Sequence, residues 1–253
     1  MKYFQDHVSE QIDLDNDWYV SSQFEWASLP HIKKIYQGRF RFILSEIRHY
    51  LRIRKRQVKL IDLGCGDGYW LKQLENRKIN QLNLEGIDYN ELRIKRAKEI
   101  LSPIIKLHVG DLNSFQPKEK YDIVLCSHVI EHIPDDTAFL KTLRKILKPR
   151  GILILATPNE GSFLEQRRNA KYSLFDTTDH VHFYTEELIK SRLRKAGFKI
   201  NRLYRDPVYI GNDNAFYKFL SLPYGYKILS KLTKILPSMC SGYIFSCKIK
   251  SLE

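Results

Sequence analysis

The sequence predicts an alternating α/β fold, a mostly parallel sheet with helices on both faces. Three observations carry that expectation. Short apolar runs alternate with amphipathic segments at a spacing that fits βαβ units with right-handed crossovers. The first apolar run, Leu60-Ile61-Asp62-Leu63, turns through Gly64, Gly66 and Gly68 into the helix-spaced stretch Tyr69 to Leu74. The run Tyr121 to Cys126 is nearly all apolar, as a strand covered on both faces should be.

Taken in order, residues 1–30 are acidic and aromatic (Asp13, Asp15, Asp17, Trp18, Phe24, Trp26) without clean periodicity. They read either as a flap over the ligand crevice or as a loop packed on the body. From His31 to Arg54, apolar residues recur at three- and four-residue steps, which predicts a long amphipathic helix with a bend at Gly38. The expected organisation is therefore a flap and cap helix over 1–54, followed by one α/β domain over 55–253. Within that domain the spacing predicts strands Leu82 to Asp88, Ile104 to Val109, Tyr121 to Cys126 and Ile152 to Ala156. Helices are predicted at Glu91 to Leu101, with Asn90 as N-cap, and at Asp135 to Leu147. A long segment, Thr157 to Thr185, breaks the rhythm, and such segments are usually functional or disordered. Helix Glu186 to Ala196, closed by Gly197, strand Phe198 to Tyr204, an insertion over 206–242 and a last strand, Tyr243 to Ile249, complete the chain.

Composition narrows the partners. Apolar residues are 43% and charged residues 28%, the balance of a globular protein, and no apolar run is long enough to read as a leader or a span. The four cysteines are scattered in a way that suits neither a zinc knuckle nor a disulfide framework, so a reducing cytoplasm is the expected setting. A net charge of +13 raises nucleic acid, anionic membrane or an acidic substrate as partners, although most basic runs are simply solvated faces.

The glycine turn is the chemical centre. Glycines allow backbone to approach a ligand closely, and the strand–turn–helix order makes a nucleotide cradle. The spacing is GxGxG with Asp62 ahead of it, where the dinucleotide fingerprint needs GxGxxG. Asp88 closes the next strand in LEGIDYN. Six segments follow one another: LIDLGCGDGYWL, LEGIDYN, VGDLNSF, YDIVLCSHVIEHIPD, LRKILKPRGILILATPN and HFYTEELIKSRLRKAGFKI. In order and separation they resemble class I S-adenosylmethionine (SAM) methyltransferases, in flavour the small-molecule branch that includes ubiquinone-biosynthesis O-methyltransferases.

The resemblance implies a Rossmann-like sheet of seven strands, the last antiparallel and inserted between strands five and six. It implies SAM as cofactor and S-adenosylhomocysteine as product. Residue by residue, Gly64, Cys65 and Gly66 would meet the methionine part through backbone, with Asp62 nearby. Asp88 would accept both ribose hydroxyls, Tyr89 would pack beside the adenine, Asp111 would accept from the adenine amino group, and Leu112 would offer a backbone N–H. Ser127 and His128 would border the methyl group where the acceptor enters.

Methyl transfer from a sulfonium needs alignment, desolvation and, for a hydroxyl nucleophile, removal of a proton. Candidate bases are His128, Glu131 and His132 in SHVIEHIPD and His180 and His182 in DHVHFYT, of which His182 is the expected distal partner. The spacing of the first three puts them on one face of a helical turn. The group also resembles the ExxEH-plus-distal-His cluster that holds a divalent metal in ubiquinone and small-RNA 2′-O-methyltransferases. Here His128 replaces the first Glu, so magnesium fits less well than zinc, and no metal is the favoured expectation. Packing is the structural alternative for these histidines.

Within the insertion, Ile228, Leu229, Leu232, Ile235 and Leu236 form an apolar helical stripe opposite Lys227, Lys231 and Lys234. Such a helix suits either a packed lid or dimer surface, or peripheral contact with anionic membrane. The expected activity is O-methylation of a small molecule or lipid-linked glycan, and the apolar stretch favours an acceptor with a hydrophobic portion. Two rivals stay open. An RNA 2′-O-methyltransferase with a metal-assisted site is suggested by the charge and the Glu131-His132 cluster, but no appended RNA-binding module supports it. A protein that only binds ligand on this fold is opposed by the intact glycines and acids.

Overall fold

The computed structural model describes residues 22–161, 179–207 and 214–250. The acidic stretch at Asp13 to Trp18, the middle of the long segment after Thr157 and residues 208–213 of the insertion lie outside them. So do the side chains of Trp26, Phe216 and Tyr217.

Seven strands form one sheet in the order β3-β2-β1-β4-β5-β7-β6. They are β1 (Val58–Leu63), β2 (Leu82–Asp88), β3 (Lys106–Val109), β4 (Tyr121–Ser127), β5 (Leu147–Pro158), β6 (Phe198–Arg205) and β7 (Gly242–Ile249). β1 to β5 pair in parallel, and β7 runs antiparallel to both β5 and β6. That is the Rossmann-like arrangement the resemblance implied, with the last strand in the expected place. β5 is longer than expected because Leu147 already pairs with Tyr121 across an irregularity.

The helices are α1 (Gln23–Ser28), α2 (Pro30–Arg52), α3 (Tyr69–Glu75), α4 (Glu91–Ile100), α5 (Asp136–Ile146), α6 (Glu186–Lys195), α7 (Asn214–Ser221) and α8 (Pro223–Leu232). Alternate residues of each strand feed two cores. One face takes Ile43 and Ile47 of α2, Trp70 and Leu71 of α3 and Ala97 of α4; the other takes Phe139 and Leu143 of α5 and Ile189 of α6. α2 runs unbroken through Gly38, where a bend was expected. Gly38 is instead a close-approach point: a Cβ there would sit 1.9 Å from Tyr226 Oη and 2.3 Å from Tyr204 Oη.

Asp122 in β4 is fully buried and gathers Arg56, Lys148, the Tyr50 hydroxyl and the Lys59 N–H. Burial disfavours its charge, but these donors more than reverse that and hold its carboxyl below the ordinary range. Its folded-state pKa lies below the unfolded one, so its stabilisation is complete above about pH 4 and fades as pH falls further. Asp122→Asn is expected to remove about 2 kcal/mol near neutrality and to flatten the acid limb of stability. Urea unfolding across acidic pH measures both, and an unchanged acid limb would count against this role.

Candidate active site

The parallel register sets the site. Leu63 pairs with Ile87 on one side and with Cys126 on the other, so the carboxyl ends of β1, β2 and β4 lie side by side. The strand order reverses between β1 and β4, which is where open α/β sheets bind ligands. Gly64, Asp88 and Ser127 therefore share one crevice.

The glycine turn rests on main-chain bonds. Gly64 N and Cys65 N donate to Ile87 O at 2.8 and 3.1 Å. Gly66 has φ +52°, and a Cβ on it would meet Arg93 Nη1 at 3.3 Å and Gln23 Oε1 at 3.6 Å. Gly64, with φ +72°, leaves no room either, because a Cβ would fall 2.3 Å from Val129 Cγ2. Asp88, 5% exposed, accepts from Gly66 N at 2.8 Å and Asn90 N at 3.0 Å, which ties the end of β2 to the turn. Each carboxylate oxygen keeps a further lone pair.

Asp62 is 1% exposed, and neither of its oxygens has a partner among the described residues. Burial and the neighbouring Asp88 hold its carboxyl well above the ordinary range. An orphaned acid beside a glycine turn is a poor apo arrangement and a good one for a ligand carrying a cationic group. Cys65 is a buried thiol pushed up by burial and by Asp62. Tyr89 is 53% exposed at the crevice, Asp111 is exposed and accepts from Asn113 N at 3.0 Å, and Leu112 is buried. α1 closes on the turn through Gln23 N to Asp67 Oδ2 at 2.9 Å and Phe24 against Tyr69 at 5.2 Å.

A second group of side chains follows β4. His128 has φ +55°, left-handed and uncommon for a residue with a Cβ. The next turn, Ile130–His132, is a 3₁₀ turn. His128 Nδ1 approaches Glu131 Oε1 at 3.2 Å, at ion-pair range but off hydrogen-bond alignment. Its Nε2 lies 2.7 Å from Arg39 Nη1 of α2, and since a guanidinium only donates, that nitrogen carries the lone pair. Arg39 in turn grips Asp206 at 2.6–3.1 Å, both buried. Burial alone would loosen the guanidinium's proton, and Asp206 reverses this, raising its pKa.

Glu131 is fully buried. Thr157 Oγ1 donates to its Oε2 at 3.1 Å. Burial opposes its charge, but His128, His132 and His180 together keep its carboxyl below the ordinary range. Its main-chain oxygen accepts from Val181 N at 2.8 Å and His182 N at 3.1 Å, which pins the segment 179–182 beside it. His180 is thereby brought in: its ring stands 4.6 Å from His132, with Nδ1 2.6 Å from Glu160 Oε2. His132 Nδ1 lies 3.1 Å from Asp179 Oδ2, at ion-pair range but off hydrogen-bond alignment. Burial lowers the pKa of His132, and Asp179 and Glu131 outweigh that, for a net rise. Ligand atoms of Glu131, His132 and His180 all fall within 4.8 Å of one another. His182, the expected distal partner, is instead turned to Pro134 O at 3.1 Å. Both its N–H and that of Val181 bind Glu131 O, so the side chain facing the cluster is His180.

Residues 36–203 match the family described as a methyltransferase domain. The chain is a class I SAM-dependent methyltransferase. The methyltransferase is similar to the ubiquinone biosynthesis O-methyltransferase of Rickettsia bellii, 26% identical over 186 residues, 71% of this chain and 74% of that one. The Neisseria meningitidis protein of that name is 25% identical over 199 residues, 75% and 76% of the two chains. Among solved structures, magnesium protoporphyrin IX methyltransferase from Synechocystis PCC 6803, with bound S-adenosylhomocysteine, matches with TM-score 0.59 and 18% identity over 93% of this chain and 97% of that one.

Arg39, Asp206, Thr157, Asp179 and Glu160 of the methyltransferase were not legible as site residues. Arg39 alone left a trace. It sits on the apolar stripe Ile35, Ile43 and Ile47 at four-residue steps, where a charge must be buried and so must be paired.

Proposed function

We propose that the enzyme transfers a methyl group to a hydroxyl oxygen of a small molecule or lipid-linked acceptor with a hydrophobic portion. The observation that carries this reading is the carboxylate–imidazole group Glu131, His132 and His180 at the strand ends that also bear the glycine turn and Asp88. In this reading Gly64, Cys65 and Gly66 hold the methionine part of SAM with Asp62 beside its ammonium. Asp88 takes the ribose diol, Tyr89 packs beside the adenine, Asp111 accepts from its amino group, Leu112 offers a backbone N–H, and Ser127 borders the methyl group. The orphaned carboxylate of Asp62 supports the fit. When bound, the cofactor supplies a methyl group already activated on sulfur. The chain's own work is alignment, exclusion of water and removal of the hydroxyl proton.

His132 is the group best placed for that proton. Asp179 stands at ion-pair range of its Nδ1, which leaves Nε2 to take the proton. Ionised Glu131 stabilises the imidazolium that results. His128 is less suited, because Arg39 already occupies its Nε2. The relatives named ubiquinone biosynthesis O-methyltransferases favour a quinone precursor among hydrophobic acceptors.

A second reading is metal assistance. Glu131, His132 and His180 fit a divalent ion in type and spacing, one carboxylate and two imidazoles. Glu160 and Asp179 stand at the Nδ1 atoms, as carboxylates do behind metal-bound histidines. Such an ion would lower the pKa of the acceptor hydroxyl.

Asp88→Ala is expected to weaken SAM and S-adenosylhomocysteine roughly 100-fold by calorimetry, from two charged hydrogen bonds lost. Unchanged affinity would reject the cofactor assignment. For the acceptor, SAM with a deuterated methyl and a short-chain polyprenyl catechol should give an O-methyl ether by mass spectrometry. Label found only on nitrogen or on RNA would overturn the O-directed reading.

A further inference from the structure

The helical pair α7–α8 turns one side to the body and the other to solvent. Leu220 and Leu229 close against Ile35 of α2, and Tyr226 Oη meets Tyr204 Oη at 2.9 Å. The expected single stripe is thus split. Leu229 is 3% exposed, whereas Tyr224 is 58%, Ile228 46%, Ile235 75% and Leu236 43% exposed. Lys227, Lys231 and Lys234 stand exposed among these side chains, and none pairs with a carboxylate among the described residues. Between Asp213 and Glu253 the chain holds six lysines and no acid.

We infer that this face docks on an anionic lipid bilayer, an inference that rests on the hydrophobic acceptor proposed above. Apolar side chains interleaved with lysines, with no acid to repel phosphate, are what an interfacial helix presents. The aliphatic tips enter the acyl boundary, Tyr224 lies at headgroup level and the lysines reach lipid phosphates. Other occupants fit less well. A second copy across a two-fold axis would set the three lysines against their own equivalents. RNA calls for stacking aromatics and arginine, and here four of the five exposed apolar side chains of the hairpin, Leu222 among them, are aliphatic and the cations are lysines.

The face also adjoins the acceptor end. Asn159 Nδ2 donates to Ser238 O at 3.0 Å and Cys240 O at 2.8 Å, at the foot of the hairpin. Two residues earlier on the same strand end, Thr157 binds Glu131. On the other side Tyr226 packs over Gly38, whose neighbour Arg39 reaches His128. A hydrophobic acceptor leaving the bilayer would arrive beside the Glu131 cluster.

Co-sedimentation of the full chain with vesicles tests the inference. Binding is expected to phosphatidylcholine vesicles containing phosphatidylglycerol, not to phosphatidylcholine alone, and to fade as salt rises. Lys227→Gln with Lys231→Gln and Lys234→Gln should lower the partition coefficient roughly 100-fold or more. Ile228→Asp with Ile235→Asp should abolish binding. Both sets change exposed side chains, so SAM affinity and transfer to a soluble short-chain acceptor should persist. Wild-type protein left in the supernatant, or variants that bind equally, would overturn the inference. So would capture of single-stranded RNA in place of vesicles, or a dimer that Ile235→Asp dissociates. Loss of SAM binding by the wild type would defeat the functional reading alone; SAM binding without vesicle binding would defeat the docking alone.

Discussion

Arg39→Met is expected to destabilise the methyltransferase by about 3–5 kcal/mol, the usual effect of leaving one charge of a buried pair without its partner. Asp206 is fully buried, and the guanidinium is its main cationic neighbour at 2.6 Å. For a chain of this size that corresponds to a fall in Tm of roughly 10 °C. Urea unfolding measures it, and Arg39→Met with Asp206→Leu should recover much of the loss, because neither charge is then stranded. A stability change under about 1 kcal/mol in the single variant would show that water reaches Asp206 and that the pair does not hold α2 to the end of β6. The variant should also free His128 Nε2, so its turnover is best measured well below the new Tm.

His132→Ala is expected to lower kcat by roughly 10²–10⁴-fold, the usual worth of a positioned proton acceptor, with SAM affinity near wild type. The side chain is 28% exposed, so truncation should cost little in packing. His180→Ala should reduce kcat as well if the cluster works as a unit, whereas His182→Ala should not, since that ring points to Pro134 O. Metal analysis of purified protein separates the two chemical readings. A divalent ion lost together with activity in His132→Ala and His180→Ala supports ligation. Activity indifferent to chelator supports proton transfer by His132 itself. Normal kcat in folded His132→Ala protein would defeat both.

The sequence by itself determined the sheet, the crevice and the family. β2 was expected at Leu82 to Asp88 and lies there, and the last strand occupies its expected place between β5 and β6. The physical reason is that strand and helix periods are local. A buried strand announces itself in consecutive residues, and a glycine turn announces itself in positions that no Cβ can occupy. Asp88 was legible on the same ground, as an acid that closes an apolar strand.

Tertiary structure alone decided the side-chain group that follows β4. Arg39 and Asp206 are separated by 167 residues, and no local pattern links them. The sequence pointed to His182, whereas the N–H bonds of Val181 and His182 to Glu131 O and the turn of the His182 ring to Pro134 O bring in His180. The stripe on α8 could be assigned an apolar side but not a depth. Ile35 and Leu220 cover Leu229 and leave Ile228 in solvent. Pattern reports which residues avoid water on average; which partner each one finds depends on where the sheet brings distant segments together.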